Sequence, residues 1–195
     1  MSFSVINLSS DILLFNNLLD ADLCQHIIQV AECSKLDPAE IEVGTVETQI
    51  RSNDLLSLGN ENNSLLTSTN QLLLGKVGII QQYLYENYGV KFPHAESCSI
   101  LRYQPGQFYK RHIDNLLLSS RFEEIAQGVP TRDVSIVGYL NEDFTGGETF
   151  FDRQNLKIKP QQGSAIVFPS YYTHPHQSLA VDTGHKYAFT TWLFH

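Results

Sequence analysis

An α+β chain, mainly β, is what the sequence predicts: two helices at the front buttressing a sandwich or small barrel of short strands. Three observations carry this. Apolar residues recur at helical spacing twice before residue 90. From residue 95 onward that period stops, and short β-rich runs follow, separated by Gly, Pro, Asn and Asp. No break in composition divides the 195 residues, a length that suits one domain with a full core. Residues 1–195 therefore read as a single domain, with 1–94 as helical and strand support and 95–194 as the core that carries the chemistry.

Taken in order, residues 3–8 and 11–15 alternate loosely and predict two short strands. Asp20 is placed to cap a helix over DADLCQHIIQVAECS, with Leu23, Ile27, Ile28 and Ala31 along one face. Pro38 and EVGTVETQI read as a turn followed by a strand, and the Asn-, Ser- and Gly-rich run 52–66 reads as an irregular connection. A second helix is expected from about Ser68 to Asn87, with Leu72, Leu73, Val77, Ile80, Leu84 and Tyr88 as its stripe. Gly75 and Gly78 weaken that helix, and Gly89 ends it. Strands are then expected in AESCSILRY, FYKRHID, VSIVGYL, ETFF, LKIK, SAIVF and KYAFTTWL, with Gly146–Thr149 turning between two of them.

Composition narrows the function classes. Thirteen basic against 21 acidic residues give a net charge of −8, which argues against a general nucleic-acid binder. No apolar run is long enough for a membrane helix, and MSFSVINLSSDILLF lacks the charged start of a signal peptide. Cys24, Cys33 and Cys98 are an odd count without metal-type spacing, the pattern of free thiols in a reducing, cytoplasmic setting. No signal speaks to oligomeric state.

The chemistry concentrates in two stretches. His112 and Asp114 stand two apart in FYKRHID, so one strand face can present both. About 60 residues on lie His174 and His176, which share a parity; either can be the third donor, and His176 is preferred for its distance of ten residues to Lys186. Two histidines and one carboxylate can take one face of an octahedral iron(II), leaving three positions open. Asp182 and Gly184 predict a hairpin that sets the 176 region opposite the 187 region. On the last strand Lys186, Thr190 and Trp192 share one parity, and Tyr187, Phe189 and Leu193 share the other. A lysine aimed into a core is costly unless an anion meets it there.

RYQPGQFYKRHID, RDVSIVGYLNEDFTGGETFF, GSAIVFPS and HQSLAVDTGHKYAFTTWLF resemble the prolyl-4-hydroxylase-like branch of the iron(II)/2-oxoglutarate dioxygenases over about residues 95–194. The resemblance implies a double-stranded β-helix, or jelly roll. It implies Fe(II) on His112, Asp114 and His176, and 2-oxoglutarate held by Lys186 and Tyr103, with Thr190 and Trp192 in the cofactor pocket and Thr149 on its wall. Arg132, three before Ser135, and Tyr109 are the implied substrate contacts. The implied reaction consumes O2 and 2-oxoglutarate, with ascorbate as an accessory reductant, and hydroxylates an unactivated C–H of a prolyl residue. A free amino acid or natural-product intermediate as substrate, or a non-catalytic metal-binding or oxygen-sensing module, are the competing readings. The chain departs from the family in carrying Ala180–Val181 where a Pro–Val pair is usual. The stretch 115–131 is long for a connection and is read either as a lid over the substrate or as a surface loop with a short helix over RFEEIAQ.

Overall fold

The computed structural model describes residues 3–39, 46–60, 62–115, 126, 128 and 130–195. The lid reading of 115–131 therefore falls almost wholly outside the described residues. The elements are β1 (Ser4–Ser9), β2 (Ile12–Asn16), α1 (Ala21–Glu32), β3 (Asp37–Pro38), β4 (Asp54–Ser57), α2 (Ser64–Tyr88), β5 (His94–Ala95), β6 (Ser99–Tyr103), β7 (Tyr109–His112) and β8 (Val134–Tyr139). They continue with β9 (Thr145–Gly146), β10 (Thr149–Phe151), β11 (Leu156–Ile158), β12 (Ala165–Pro169), β13 (His176–Ser178), β14 (Val181–Thr183) and β15 (Lys186–Phe194).

Both helices start at side-chain caps. Asp20 accepts from the Leu23 amide at 2.9 Å, and Asn63 accepts from the amides of Leu65 and Leu66. That second cap explains why α2 begins at Ser64, four residues before the periodicity suggests. Gly89 closes α2 in the left-handed region, at φ 69°. No helix among the described residues is long and apolar enough to cross a membrane.

The strands form a nine-stranded sheet, β1-β2-β12-β8-β15-β6-β4-β3 with β5 also on β15, and a four-stranded sheet, β11-β10-β13-β7; β14 pairs with β9. Every pairing is antiparallel. Two apolar clusters follow from the alternation of side chains. One joins Phe15, Ile100, Phe189 and Leu193 of the large sheet to Ile27 of α1 and Leu73, Val77 and Ile80 of α2. The other joins Ile12, Leu101, Tyr103, Tyr139, Phe168 and Ala188 of the large sheet to Phe151 and Ile158 of the small one. The odd residues of β15 thus face the helices and the even ones the space between the sheets, as the parity of that strand requires.

The run 52–66 corrects the expectation of an irregular connection. Its Leu55 and Leu56 pair with Leu101 and Ile100, and Asp54 meets the Arg102 guanidinium at 2.9 Å. These partners lie more than forty residues away, so four residues amid Asn and Ser carry no local strand signal. The expected strand over EVGTVETQI is not seen in its described part: Ile50 donates to the Glu47 carbonyl, and 48–50 turn.

Two glycines of opposite consequence test this packing. A Cβ at Gly138 would stand 1.9 Å from the Phe189 ring, whereas one at Gly78 meets nothing within 4 Å. In urea unfolding, Gly138→Ala should lose about 1–3 kcal/mol through overpacking. Gly78→Ala should gain about 0.5–1 kcal/mol from helix propensity.

Candidate active site

β7 is the edge of the small sheet, and β13 lies between it and β10. The register sets His112 opposite His176 and Tyr109 opposite Ser178, with two residues between on β7 against one on β13. The bulge has a consequence. Strict alternation puts Tyr109 on the face away from His112; the extra residue turns it back, and the two rings stack at 3.5 Å and 14°. Arg51 lies over the Tyr109 ring at 4.7 Å.

Asp114, just past the end of β7, completes a cluster. Its Oδ1 stands 3.2 Å from His112 Nε2 and 3.7 Å from His176 Nε2. One donor atom from each residue lies within 4.8 Å of the others, and no second group of this kind occurs among the described residues. Metal–ligand bonds of about 2 Å at right angles put neighbouring donors about 3 Å apart, close to the two Asp114 separations, so the three side chains could hold one ion. Each imidazole makes its Nδ1 contact with the carbonyl two residues before it, His112 with Lys110 at 2.8 Å and His176 with His174 at 3.2 Å. Donation from Nδ1 leaves the Nε2 lone pairs turned toward the shared point.

Burial pushes the His176 imidazole down to about 4, so it is neutral at pH 7. Burial by itself would raise the Asp114 carboxyl, but His176, His112 and the Ser135 hydroxyl together hold it well below the usual carboxylate range. A neutral imidazole and an ionised carboxylate are the forms a metal needs. His174 has both nitrogens engaged elsewhere, Nε2 with the Ser10 carbonyl at 2.6 Å and Nδ1 with Thr173 Oγ1 at 2.8 Å. It ties the β1–β2 turn to the loop before β13.

Lys186 lies deeper in the space between the sheets and is 2% exposed. Its Nζ donates to the Gly147 carbonyl at 2.7 Å and to Ser178 Oγ at 2.9 Å, and sits 4.9 Å from the Tyr103 ring and 5.7 Å from that of Tyr139. Burial draws its pKa down to about 7, with Glu148 opposing at a distance. Burial raises the Tyr103 phenol, which also bonds to Ser178. Tyr139 Oη and Thr149 Oγ1 are 2.7 Å apart and buried. Lys186, the Ser178 hydroxyl and the rings of Tyr103 and Tyr139 thus stand together between the sheets, with Ser178 two residues after His176 on β13.

The expected hairpin around Asp182 is corrected. β13 pairs with β7 and β10, and Lys186 pairs with Tyr103 in the other sheet. The 176 and 186 regions face each other between the layers, linked by the Lys186–Ser178 bond, because Val181–Thr183 diverts to pair with β9. Further along β15, Thr190 is buried and its hydroxyl donates to the Ile136 carbonyl at 3.2 Å. Trp192 is half-buried under the Arg132 guanidinium, 3.5 Å from ring centroid to Cζ. Arg132 is held by Glu96 at 2.6 and 2.9 Å and reaches the Asp114 carbonyl at 3.3 Å. Ser178 and Glu96 escaped sequence reasoning. Ser178, two after His176 on one strand, has a legible signal in its parity; Glu96, 36 residues from its partner, has none.

The family model for the 2OG-Fe(II) oxygenase superfamily matches residues 98–194, the span that holds every donor named above. The chain belongs to this superfamily. It falls in the prolyl-4-hydroxylase-like branch of these 2-oxoglutarate-dependent dioxygenases, which use Fe(II) and 2-oxoglutarate. A protein of Acanthamoeba polyphaga mimivirus assigned as a prolyl 4-hydroxylase is 29% identical over 191 residues, covering 91% of this oxygenase and 72% of its relative. Prolyl 4-hydroxylase 13 of Arabidopsis thaliana is 26% identical over 199 residues, covering 91% and 68%. Among solved structures, the Trichoplax adhaerens prolyl hydroxylase in complex with a hypoxia inducible factor peptide fragment superposes with a TM-score of 0.74 at 20% identity, covering 95% of this oxygenase and 84% of that chain. The similarity confirms a mainly β fold with two helices and antiparallel sheets.

The Lys186 environment gives a pH dependence of known sign. Its folded pKa of about 7 lies below the ordinary value of about 10.4. Between these the unfolded chain binds more protons, so stability of the metal-free oxygenase rises as pH increases from 7 toward 10. Thermal melts across pH 6.5–9.5 should show this rise, and Lys186→Met should flatten it and raise Tm at pH 7.

Proposed function

We propose that this oxygenase hydroxylates a prolyl residue of a peptide or protein in a double-stranded β-helix, with Fe(II) on His112, Asp114 and His176. The observation that supports the site reading is the buried Lys186 ammonium, which makes no carboxylate ion pair among the described residues, beside a converging His–Asp–His set. In this reading the distal carboxylate of 2-oxoglutarate meets Lys186, with Tyr103 and Ser178 as hydroxyl partners and Thr190 and Trp192 on the same strand face. The charges close sensibly: +2 from iron, −1 from Asp114 and −2 from the cosubstrate leave −1, which Lys186 offsets. When bound, iron and 2-oxoglutarate would let O2 be used, one oxygen atom going into succinate as 2-oxoglutarate loses CO2 and the other becoming the hydroxyl on an unactivated C–H. The protein's part is to orient and to keep water out. Tyr109, flat on His112, and Arg132, beside Asp114, flank the metal site and are assigned to substrate contact. The prolyl substrate rests on the relatives named prolyl 4-hydroxylases and on the peptide-bound neighbour. Cys24, Cys33 and Cys98 form no disulfide, which supports a reducing compartment such as the cytoplasm.

Three experiments test this. Anaerobic addition of Fe(II) and then 2-oxoglutarate should produce a metal-to-ligand charge-transfer band that His112→Ala abolishes. Lys186→Met should weaken 2-oxoglutarate binding by about a hundredfold or more, the order of leaving a buried charge unpaired, while iron binding persists. Succinate release should then be stimulated by proline-containing peptides and not by free proline; stimulation by free proline alone would remove the peptide assignment.

A further inference from the structure

Asp114 is a ligand position without a ladder to hold it. β7 ends at His112, two residues earlier, and neither Asp114 nor Asn115 lies in a strand. What fixes the main chain on either side of Asp114 is therefore specific contacts. The Asn115 amide donates to the Ser170 carbonyl at 3.0 Å, and the Asp114 carbonyl accepts from Arg132 Nη1 at 3.3 Å.

Arg132 also lies outside a strand, and its own placement comes from β15 by two routes. Trp192 supplies the flat surface on which the guanidinium rests, at 3.5 Å. Glu96 grips the guanidinium with both oxygens, Oε1 to Nε at 2.6 Å and Oε2 to Nη2 at 2.9 Å. Glu96 is in turn locked to β15 at both ends of its residue. Its amide donates to the Trp192 carbonyl at 2.9 Å, and its carbonyl accepts from Thr191 Oγ1 at 2.6 Å. The side chains of Glu96 and Arg132 are about one-fifth exposed, so the fork is partly withdrawn from water. A bidentate fork in such a setting fixes direction as well as distance.

We propose that Glu96 is a positioning residue for Asp114, acting through Arg132. The relay runs from β15 to Glu96, to the guanidinium on Trp192, and to the Asp114 carbonyl, so that the strand carrying Lys186 also sets where the carboxylate ligand stands. This rests on the reading of His112, Asp114 and His176 as the metal site. It gives Arg132 a task distinct from substrate contact, and the two can be told apart.

The test is an anaerobic Co(II) titration of the metal-free protein, followed by visible absorption, with apo Tm and peptide KM measured alongside. Glu96→Gln should raise the Co(II) Kd about tenfold, the scale of groups that orient metal ligands, and alter the cobalt spectrum while Tm moves little. Arg132→Lys keeps the charge but not the fork, so it should lose a similar factor. The double variant should lose no more than Arg132→Lys alone. The proposal is overturned if Glu96→Gln leaves the Co(II) Kd within twofold, whether or not Tm falls, or if the two losses multiply. A raised peptide KM with unchanged Co(II) Kd also overturns it, and leaves the proposed function standing. No Co(II) binding by the unmodified protein would overturn the metal reading together with this one.

Discussion

His112 and His176 face each other across an antiparallel pair in the small sheet, and the placement of every other group in the candidate site depends on that register. A slip of one residue would turn His176 to the far face of its strand. The register is held on both flanks of β13, by β7 on one side and by β10 on the other, where Phe151 pairs with His176. The Phe151 and Phe168 rings close around the imidazole, at 5.3 and 4.8 Å. Packing of this density lowers the imidazole's proton affinity and points it at Asp114, so a structural constraint becomes a chemical one.

Lys186 expresses the opposite economy. Carrying an ammonium into the space between two sheets disfavours the metal-free fold below pH 7, and a carbonyl, a hydroxyl, two aromatic faces and the more distant Glu148 soften it. In the proposed function, a site that waits for an anion trades stability for affinity. The same strand carries this cation on one face and Phe189, packed on the helices, on the other. Its rigidity is therefore shared between the core and the chemistry. Glu96 and Trp192 extend that influence to Asp114, which no ladder reaches.

Much of this was legible along the chain because it depends on local periodicity. The helical stripes of α1 and α2, the Asp20 cap, the seven β-rich runs after residue 95 and the parity of β15 all follow from spacings of two to four residues. The HxD pair is local in the same sense, and the lysine ten residues after His176 gave the reason to prefer that histidine over His174. The misreadings share a cause. β4 exists because β6 is there to pair with it, and α2 starts early because Asn63 turns its side chain back. The same non-local cause places Tyr109, which only the family resemblance had put at the site: it faces His112 because of a bulge whose partner is 69 residues away on β13.

By itself, then, the sequence determined the two helices and most of the later strands, though not β4, together with which face of β15 is polar and which few residue types can bind a metal and a dianion. Those follow from backbone geometry and side-chain chemistry that act over a handful of residues. The tertiary structure alone decided which histidine joins His112, that the 176 and 186 strands lie in different sheets, and that Glu96 reaches Asp114 through Arg132. Strand partners are chosen by the packing of distant surfaces, and no short-range pattern encodes that choice.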